Sequence, residues 1–494
     1  MNVDFVSVDE APVLTASGGR TGVSLLWGDR VDVVGTAGSL VQIRSGRYFG
    51  TGHVARAHLG GRSLLEFYFI DVGQGDGVLV RTPDHRHVLI DAGFSRRRQM
   101  TGKNAADFVD WKFVKDYRRQ TIALDAVIAS HNDADHFGGL WDLLSSDPAA
   151  KKELDAKSVT VEAFYHAGLS WWKQGSGRTL GPSVKTDSGA MWTRLLGDRA
   201  SVQAALAGGG APQLAGEWAQ FLSCVLDAKT AGGQPTPVRR LSHADHYLPG
   251  FEPAAGAPAV RVIAPVEFGV GGEPALRRFS GGDDKNTNGQ SILLRVDYGR
   301  ARVLLTGDLN RAAQAALLQD YAGAVQEFEC DVAKACHHGS DDVSYRFLQA
   351  MRPAVTVISS GDNEGHDHPR PGIVAASATT GFLTLDGDSI ATPLVYSTEL
   401  ARSLKLARAT GLTVTGRDAA PLVLRGEALG RASVTLPKKS GGKREPTRTL
   451  DRARIVSDLV YGLVNVRTDG ERILCATRNE ADYSWQVQTL HSRF

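Results

Sequence analysis

The sequence has 494 residues, 42% hydrophobic and 22% charged, with 55 glycines, 19 prolines and 4 cysteines. That length sets an expectation of roughly three domains, and the composition excludes collagen-like, disordered and coiled-coil chains. Formal net charge is +2, so bulk charge names no partner and any polyanion site has to be local.

Residues 1–62 alternate short β-type runs, Val23–Trp27, Arg30–Val34, Leu40–Arg44 and His53–Ala55, with glycine-containing turns. Strands at this spacing predict a small β-barrel. The run GDRVDVVGTAGSLVQIR resembles bacterial SH3-like domains, which implies a protein partner for this region. From Ser63 the texture changes: Leu64–Val72, Gly77–Arg81 and Val88–Ile90 read as buried strands. Helical spacing over Ala105–Arg119, a strand at Leu124–Ser130 and a helix from Ala134 to Leu144 follow. This mixture predicts a layered α/β architecture.

Residues 147–258 interrupt the rhythm with glycine breaks, helical stretches near 188–206 and 215–228, and Trp171-Trp172-Lys173. They read as a large insertion, a lid. Its tryptophans are either buried aromatics, the favoured reading, or a base-stacking platform. Strands resume at Val260–Ile263, Ser291–Val296 and Arg302–Leu305; a helix spans Arg311–Tyr321; further strands lie at Asp331–Cys336 and Val355–Ser359. A basic, breaker-rich loop occupies 437–444. Val460–Val466 and Arg472–Ala476 flank Asp469-Gly470 as a closing hairpin.

Apolar runs such as Leu124–Ala129 are far shorter than the roughly 18 residues a membrane helix needs. Met1–Pro12 is acidic and does not read as a signal segment. Cys224, Cys330, Cys336 and Cys475 form no CxxC pair and read as reduced thiols. The expectation is a cytoplasmic protein without a membrane segment.

The sharpest signal is Ser130-His131-Asn132-Asp133-Ala134-Asp135-His136-Phe137-Gly138-Gly139. Four metal-type ligands (His131, Asp133, Asp135 and His136) fall within six residues at a strand end. That density is costly in an apolar turn unless a cation or hydrogen bonds compensate it. The glycine pair is expected to turn the backbone tightly over the site. Asp308 after Val303–Leu305, the His337-His338 pair and Asp91 after Leu89-Ile90 also stand at strand ends, where α/β sites sit.

These motifs in this order resemble the metallo-β-lactamase superfamily. Together with Phe69–Asp76 (FIDVGQGD), LIDAG, LLTGD, HHGS and Gly365–Pro369 they are similar, more narrowly, to the hydrolase domain of ComEC/Rec2 competence proteins. The resemblance implies an αββα sandwich over 63–410, with the insertion at 147–258. The SH3-like barrel would precede it at 1–62, and a C-terminal extension with the closing hairpin would follow at 411–494. It further implies two divalent ions: His131 and Asp133 on one, Asp135 and His136 with His337 or His338 on the other, Asp308 bridging. Asp91 would orient a ligand imidazole, and Asp135 is the candidate proton acceptor. Asn288 stands where many members carry a third histidine; with His366, His368 and Asp76 it makes up the candidate substrate-side set. Asp133 in place of an imidazole makes the donor set oxygen-rich, which favours Mn²⁺ over Zn²⁺.

The expected function is a soluble two-metal phosphodiesterase using metal-generated hydroxide, with DNA or RNA as favoured substrate. A cyclic or signalling nucleotide phosphodiesterase, a hydrolase of amide, lactone or thioester bonds, and a non-catalytic interaction module stay open. Between Phe94 and Gln120 eight basic residues face three acids, a local +5 that is either a polyanion patch or a solvated helix face. His243-Ala244-Asp245-His246 is a further metal-like motif, but it lies apart from the ordered motifs.

Overall fold

The computed structural model describes residues 2–494 except 47, 100–101, 209–211, 362–367, 400–406, 409–410, 415–419, 432, 436–446, 450–453, 456–461 and 480–483. The basic loop predicted at 437–444 therefore lies outside the described residues.

Two sheets stack face to face. The first has nine strands, in the order Val238–Arg240, Phe164–His166, Ala126–Ala129, His87–Ile90, Val78–Arg81, Leu65–Phe69, Val464–Thr468, Arg472–Arg478 and Trp485–His491. The second has six: Ala259–Ala264, Leu293–Tyr298, Ala301–Leu305, Val332–Lys334, Val355–Ile358 and Leu394–Ser397. Period-2 alternation explains the layering. Leu65, Phe67 and Phe69 face the second sheet, meeting Val262, Leu294 and Val303, while Tyr68 between them faces the opposite layer. Helices Ala105–Trp111 and Ala134–Leu144 cover the outer face of the first sheet; Arg311–Asp320, Tyr345–Met351 and Pro371–Thr380 cover that of the second. The result is four layers, helix–sheet–sheet–helix. Among the described residues no helix is long and apolar enough to cross a membrane.

The N-terminal region is a six-stranded antiparallel sheet over Asn2–Ala55 with its own small core of Val6, Val13, Leu25, Val41 and Ile43. Charge stitches it to the first sheet. Arg467, fully buried, pairs with Asp29 at 2.8 Å and donates to the Trp27 carbonyl at 2.6 Å. Glu66 pairs with Arg81 at 2.7 Å. Burial opposes ionisation of Glu66, but Arg467, Arg81 and Lys112 outweigh it and hold the carboxyl far below its usual range.

The segment 147–258 differs from the predicted lid. Phe164–His166 and Val238–Arg240 extend the first sheet as parallel strands, because their apolar side chains continue its packing. The helix expected near 188–206 begins only at Arg199, where Asp198 forms a capping box with Ser201; Gly189–Trp192 is a strand. Trp171 and Trp172 are 5% and 4% exposed and share a core with Trp218, Phe221 and Phe137. They are wall residues and offer no stacking platform. The closing hairpin pairs Val464–Thr468 with Leu65–Phe69, with Val466 opposite Phe67.

Candidate metal centre

The strand Ala126–Ala129 ends at Ser130 and feeds the metal-type run into helix Ala134–Leu144. Asp133 occupies the N-cap position, yet its side chain makes no capping bond. It turns to the Thr287 hydroxyl, which donates to Oδ2 at 3.0 Å, and lies 3.6 Å from His131 Nε2. The Gly138-Gly139 pair lies inside that helix and does not turn the chain over the site. A Cβ on Gly138 would come within 2.2 Å of Ser95 N, and one on Gly139 within 2.1 Å of Ala92 O. The glycines therefore serve close packing of the helix on the loop that carries Asp91.

Two histidines are held in the same way. His136 sets Nδ1 2.8 Å from Asp91 Oδ2 and Nε2 3.2 Å from Asp308 Oδ2. His338 donates Nδ1–H to the Ser359 carbonyl at 3.1 Å, with Asp76 Oδ1 also 3.1 Å from that nitrogen, and sets Nε2 2.9 Å from the same Asp308 oxygen, with Asp135 Oδ2 3.6 Å away. Neither Nε2 makes a hydrogen bond in this arrangement, nor does Asp308 Oδ1, though all are buried. Buried donor atoms that converge without pairing are what a cation would satisfy. Among the described residues four groups of ligand atoms lie within 4.8 Å of one another: His131–His136–Asp308, Asp135–His136–His338, Asp76–Asp308–His338 and Asp76–Asp91–His136. The first two groups overlap at His136, whose Nε2 can ligate one ion only, and Asp308 Oδ2 lies 3.2 Å from that nitrogen and 2.9 Å from His338 Nε2.

Electrostatics agree with a cation-seeking site. Burial would raise the Asp308 carboxyl, but His338, His136 and His337 outweigh it and hold it well below the carboxylate range. Burial would lower His136 and His338, but Asp308, with Asp91 and Asp76 respectively, holds both well above the imidazole range. Protons on these rings balance the carboxylates where a metal would otherwise do so.

The sequence-predicted residues fall into distinct places. His131, Asp133, Asp135, His136, Asp308 and His338 converge. His337 is the outer member of its pair: Nε2 is 3.8 Å from Asp308, and the Asn288 amide bridges it to Asp133. Oriented to satisfy both, that amide donates to Asp133 Oδ2 at 2.8 Å. Asp76, expected on the substrate side, is 2% exposed behind His338 and cannot meet a substrate. His368 places its ring 5.8 Å from that of His337; His366 lies outside the described residues. The open face of the cluster is made by Asp133, Asp135 and His337, with side chains 26%, 19% and 25% exposed. Gln74 donates to Asp135 Oδ2 at 3.2 Å, and Gly75 lets its loop touch the Asp135 carbonyl, where a Cβ would sit 1.9 Å away.

One residue escaped the sequence reading. Lys334, 2% exposed, sets its ammonium against Asp76 and 2.9 Å from the Gly307 carbonyl. A lone lysine inside the apolar strand Val332-Ala333-Lys334-Ala335 was the available signal.

Asp91, His337 and His338 all adopt left-handed backbone (φ 55°, 47° and 51°), which costs side-chain-bearing residues energy and concentrates at working sites. The basic segment is partly compensated, seven of its eight cations sharing a smaller set of carboxylates. Arg96 and Lys103 pair with Asp107, Arg97 and Arg98 with Glu217, Lys112 with Asp116, Lys115 with Asp155 and Arg118 with Asp32. In the 243–246 motif, His243 Nδ1 accepts the Glu267 amide and Asp245 accepts the Ser242 amide, so the side chains serve a turn and do not converge.

Residues 70–181 match the model of the metallo-beta-lactamase superfamily. ComE operon protein 3 of Bacillus subtilis (strain 168) is 31% identical over 88 residues, covering 18% of this chain and 11% of that protein. Competence protein ComA of Neisseria gonorrhoeae is 39% identical over 83 residues, covering 17% and 12%. The matched stretches thus span about a tenth of those relatives' lengths. Among solved structures, a metal-dependent hydrolase of the beta-lactamase superfamily aligns with 67% of this chain and 95% of its own, at 15% identity and a TM-score of 0.30. The segment that carries Asp91 and the run His131–His136 is thus similar to the metallo-beta-lactamase superfamily and, over part of its length, to these two competence-related proteins.

Proposed function

We propose that this metal-dependent hydrolase cleaves phosphodiester bonds, with DNA or RNA as its substrate. The observation that carries the reading is the oxygen-rich donor set. Asp133 stands where an imidazole would make a soft site, and Asn288, in place of a further histidine, is tied to Asp133 and His337. Carboxylate-rich sites favour Mn²⁺ or Mg²⁺ and suit phosphoryl oxygens.

A bound metal pair would supply Lewis acidity toward the phosphoryl group and a water of lowered pKa. The chain's own residues do the rest. Asp91 and the Ser359 carbonyl fix the rings of His136 and His338 through Nδ1, with the Asp76 carboxylate beside the latter. Gln74 fixes Asp135, whose partly exposed carboxylate is placed to take a proton at the open face. The walls that close the far side include Trp171, whose indole donates to the Asn132 carbonyl at 3.2 Å.

The partial pairing of the basic segment supports a second reading, a small cyclic or signalling nucleotide, because it weakens a cationic track for a long strand. The test is cleavage by the Mn²⁺-loaded protein of single- and double-stranded DNA, RNA and cyclic nucleotides, beside an Asp135→Ala, His136→Ala double variant. Absence of phosphodiester cleavage, or activity equal in the variant, overturns the proposal.

A further inference from the structure

We propose that Lys334 is a positioning residue that acts as a built-in cation of the metal centre, deciding which oxygen of Asp308 and which face of His338 meet the metals. The inference rests on reading the cluster as a metal site and is independent of the substrate.

Every polar contact of the Lys334 ammonium leads to a ligand. It pairs with Asp76, whose other oxygen lies 3.1 Å from His338 Nδ1, beside the Ser359 carbonyl that this nitrogen hydrogen-bonds. It accepts no metal-facing position itself, but lies 2.9 Å from the carbonyl of Gly307, the residue before Asp308. It also lies 3.7 Å from Asp308 Oδ1. Asp308 is thereby divided: Oδ1 faces the ammonium, while Oδ2 faces His136, His338 and His337 at 3.2, 2.9 and 3.8 Å. Oδ2 is thus the oxygen set among the imidazoles, and Oδ1 the one biased toward the ammonium.

The same ammonium fills a corner that could take an ion. Asp76, Asp308 and His338 bring ligand atoms within 4.8 Å of one another, and Lys334 occupies the Asp76 side of that group. Buried carboxylates without countercharge are strongly destabilising. Five carboxylates (Asp76, Asp91, Asp133, Asp135 and Asp308) stand formally balanced by two divalent ions and one ammonium. A lysine serves here because its compact charge needs no fork of acceptors, and because, unlike an ion, it cannot dissociate.

The test uses the full chain, stripped with chelator and re-equilibrated with Mn²⁺, as wild type, Lys334→Met and Asp76→Asn. Metal per chain is measured by elemental analysis, and the visible spectrum is recorded after loading Co²⁺. Two metals per chain are expected for wild type. Lys334→Met should fall below one, with Mn²⁺ affinity weaker by about 10- to 100-fold. Asp76→Asn should lose the ion held by His338 and keep the other, with the corresponding Co²⁺ bands lost selectively. Lys334→Met that binds Mn²⁺ as tightly as wild type, or more tightly, overturns the proposal, since the lysine would then merely compete for the carboxylates. If Lys334→Met shows no cooperative melt, an unchanged metal content and Co²⁺ spectrum in Asp76→Asn overturns it instead. A wild type that takes up no metal sinks the underlying site reading, a failure visible before any variant is compared.

Discussion

Asp91 reaches His136 from a left-handed backbone position, with Oδ2 2.8 Å from Nδ1 and Oδ1 accepting the Ser130 amide at 2.7 Å. Both carboxylate oxygens are thus committed to the loop that carries the ligands. Asp91→Asn preserves shape but replaces one acceptor by a donor. It should weaken Mn²⁺ binding about 10- to 100-fold with little loss of fold. Isothermal titration alongside a thermal melt checks this; undiminished affinity would remove Asp91 from the supporting set.

Metal binding should release protons. Asp308, with Asp91 and Asp76, holds His136 and His338 well above the ordinary imidazole value when no metal is bound, which favours protons on these rings. A metal has to displace them. Apparent affinity should therefore rise with pH, on the order of tenfold per unit for each proton displaced, until those groups are deprotonated. Calorimetry in two buffers of different ionisation enthalpy reads the released protons directly; a heat independent of buffer contradicts this.

Two histidines away from the centre set the acid limit of stability. His87 and His166 are buried, and desolvation, aided by nearby arginines, lowers each to about 3. Between about pH 6.5 and 3 the unfolded chain binds protons there and the folded chain does not. Through that window these two histidines lower stability as pH drops, by about 1.4 kcal/mol per unit each, and they contribute no slope above it. Denaturant titrations at pH 7.5, 6, 5 and 4 measure the slope. His166→Gln should reduce it by about one histidine's share.

Gly139→Ala should destabilise the fold by about 1–3 kcal/mol, the range typical of overpacking, because its Cβ meets the Ala92 carbonyl at 2.1 Å. A lowered melting temperature in metal-free protein checks this. An unchanged melt would mean that the helix has room to shift.

The ligand run was legible because its residues are neighbours in sequence: His131 to His136 needs only one strand end to become a cluster. The strand-end positions of Asp91 and Asp308 were legible for the same reason. Which side of the site a residue occupies was not. Asp76 and Asp135 both follow local motifs, yet one is sealed behind His338 and the other faces the opening, a difference made by packing across two sheets. Lys334 went unseen because a buried cation declares itself only beside its carboxylates, which lie far off in the chain. The glycine pair was legible as backbone freedom; that it serves a helix against a loop depends on Ala92 and Ser95 being brought underneath it. For 188–206, composition favoured helix, but Gly189–Trp192 pairs with Glu273–Arg277, a tertiary preference that no local window contains.

The side-chain amide of Asn465 donates to the Phe67 carbonyl at 3.0 Å across a sequence separation of 398. Strand Leu65–Phe69 belongs in the middle of its sheet, but one edge has no partner until Val464–Thr468 has been made. At ribosomal speeds of about 5–20 residues per second that wait lasts roughly 20–80 s. Throughout synthesis the nascent chain carries an open, phenylalanine-rich edge, a template for pairing with other chains. Its yield in the cell should therefore depend on chaperone supply during translation more than on the stability of the finished molecule.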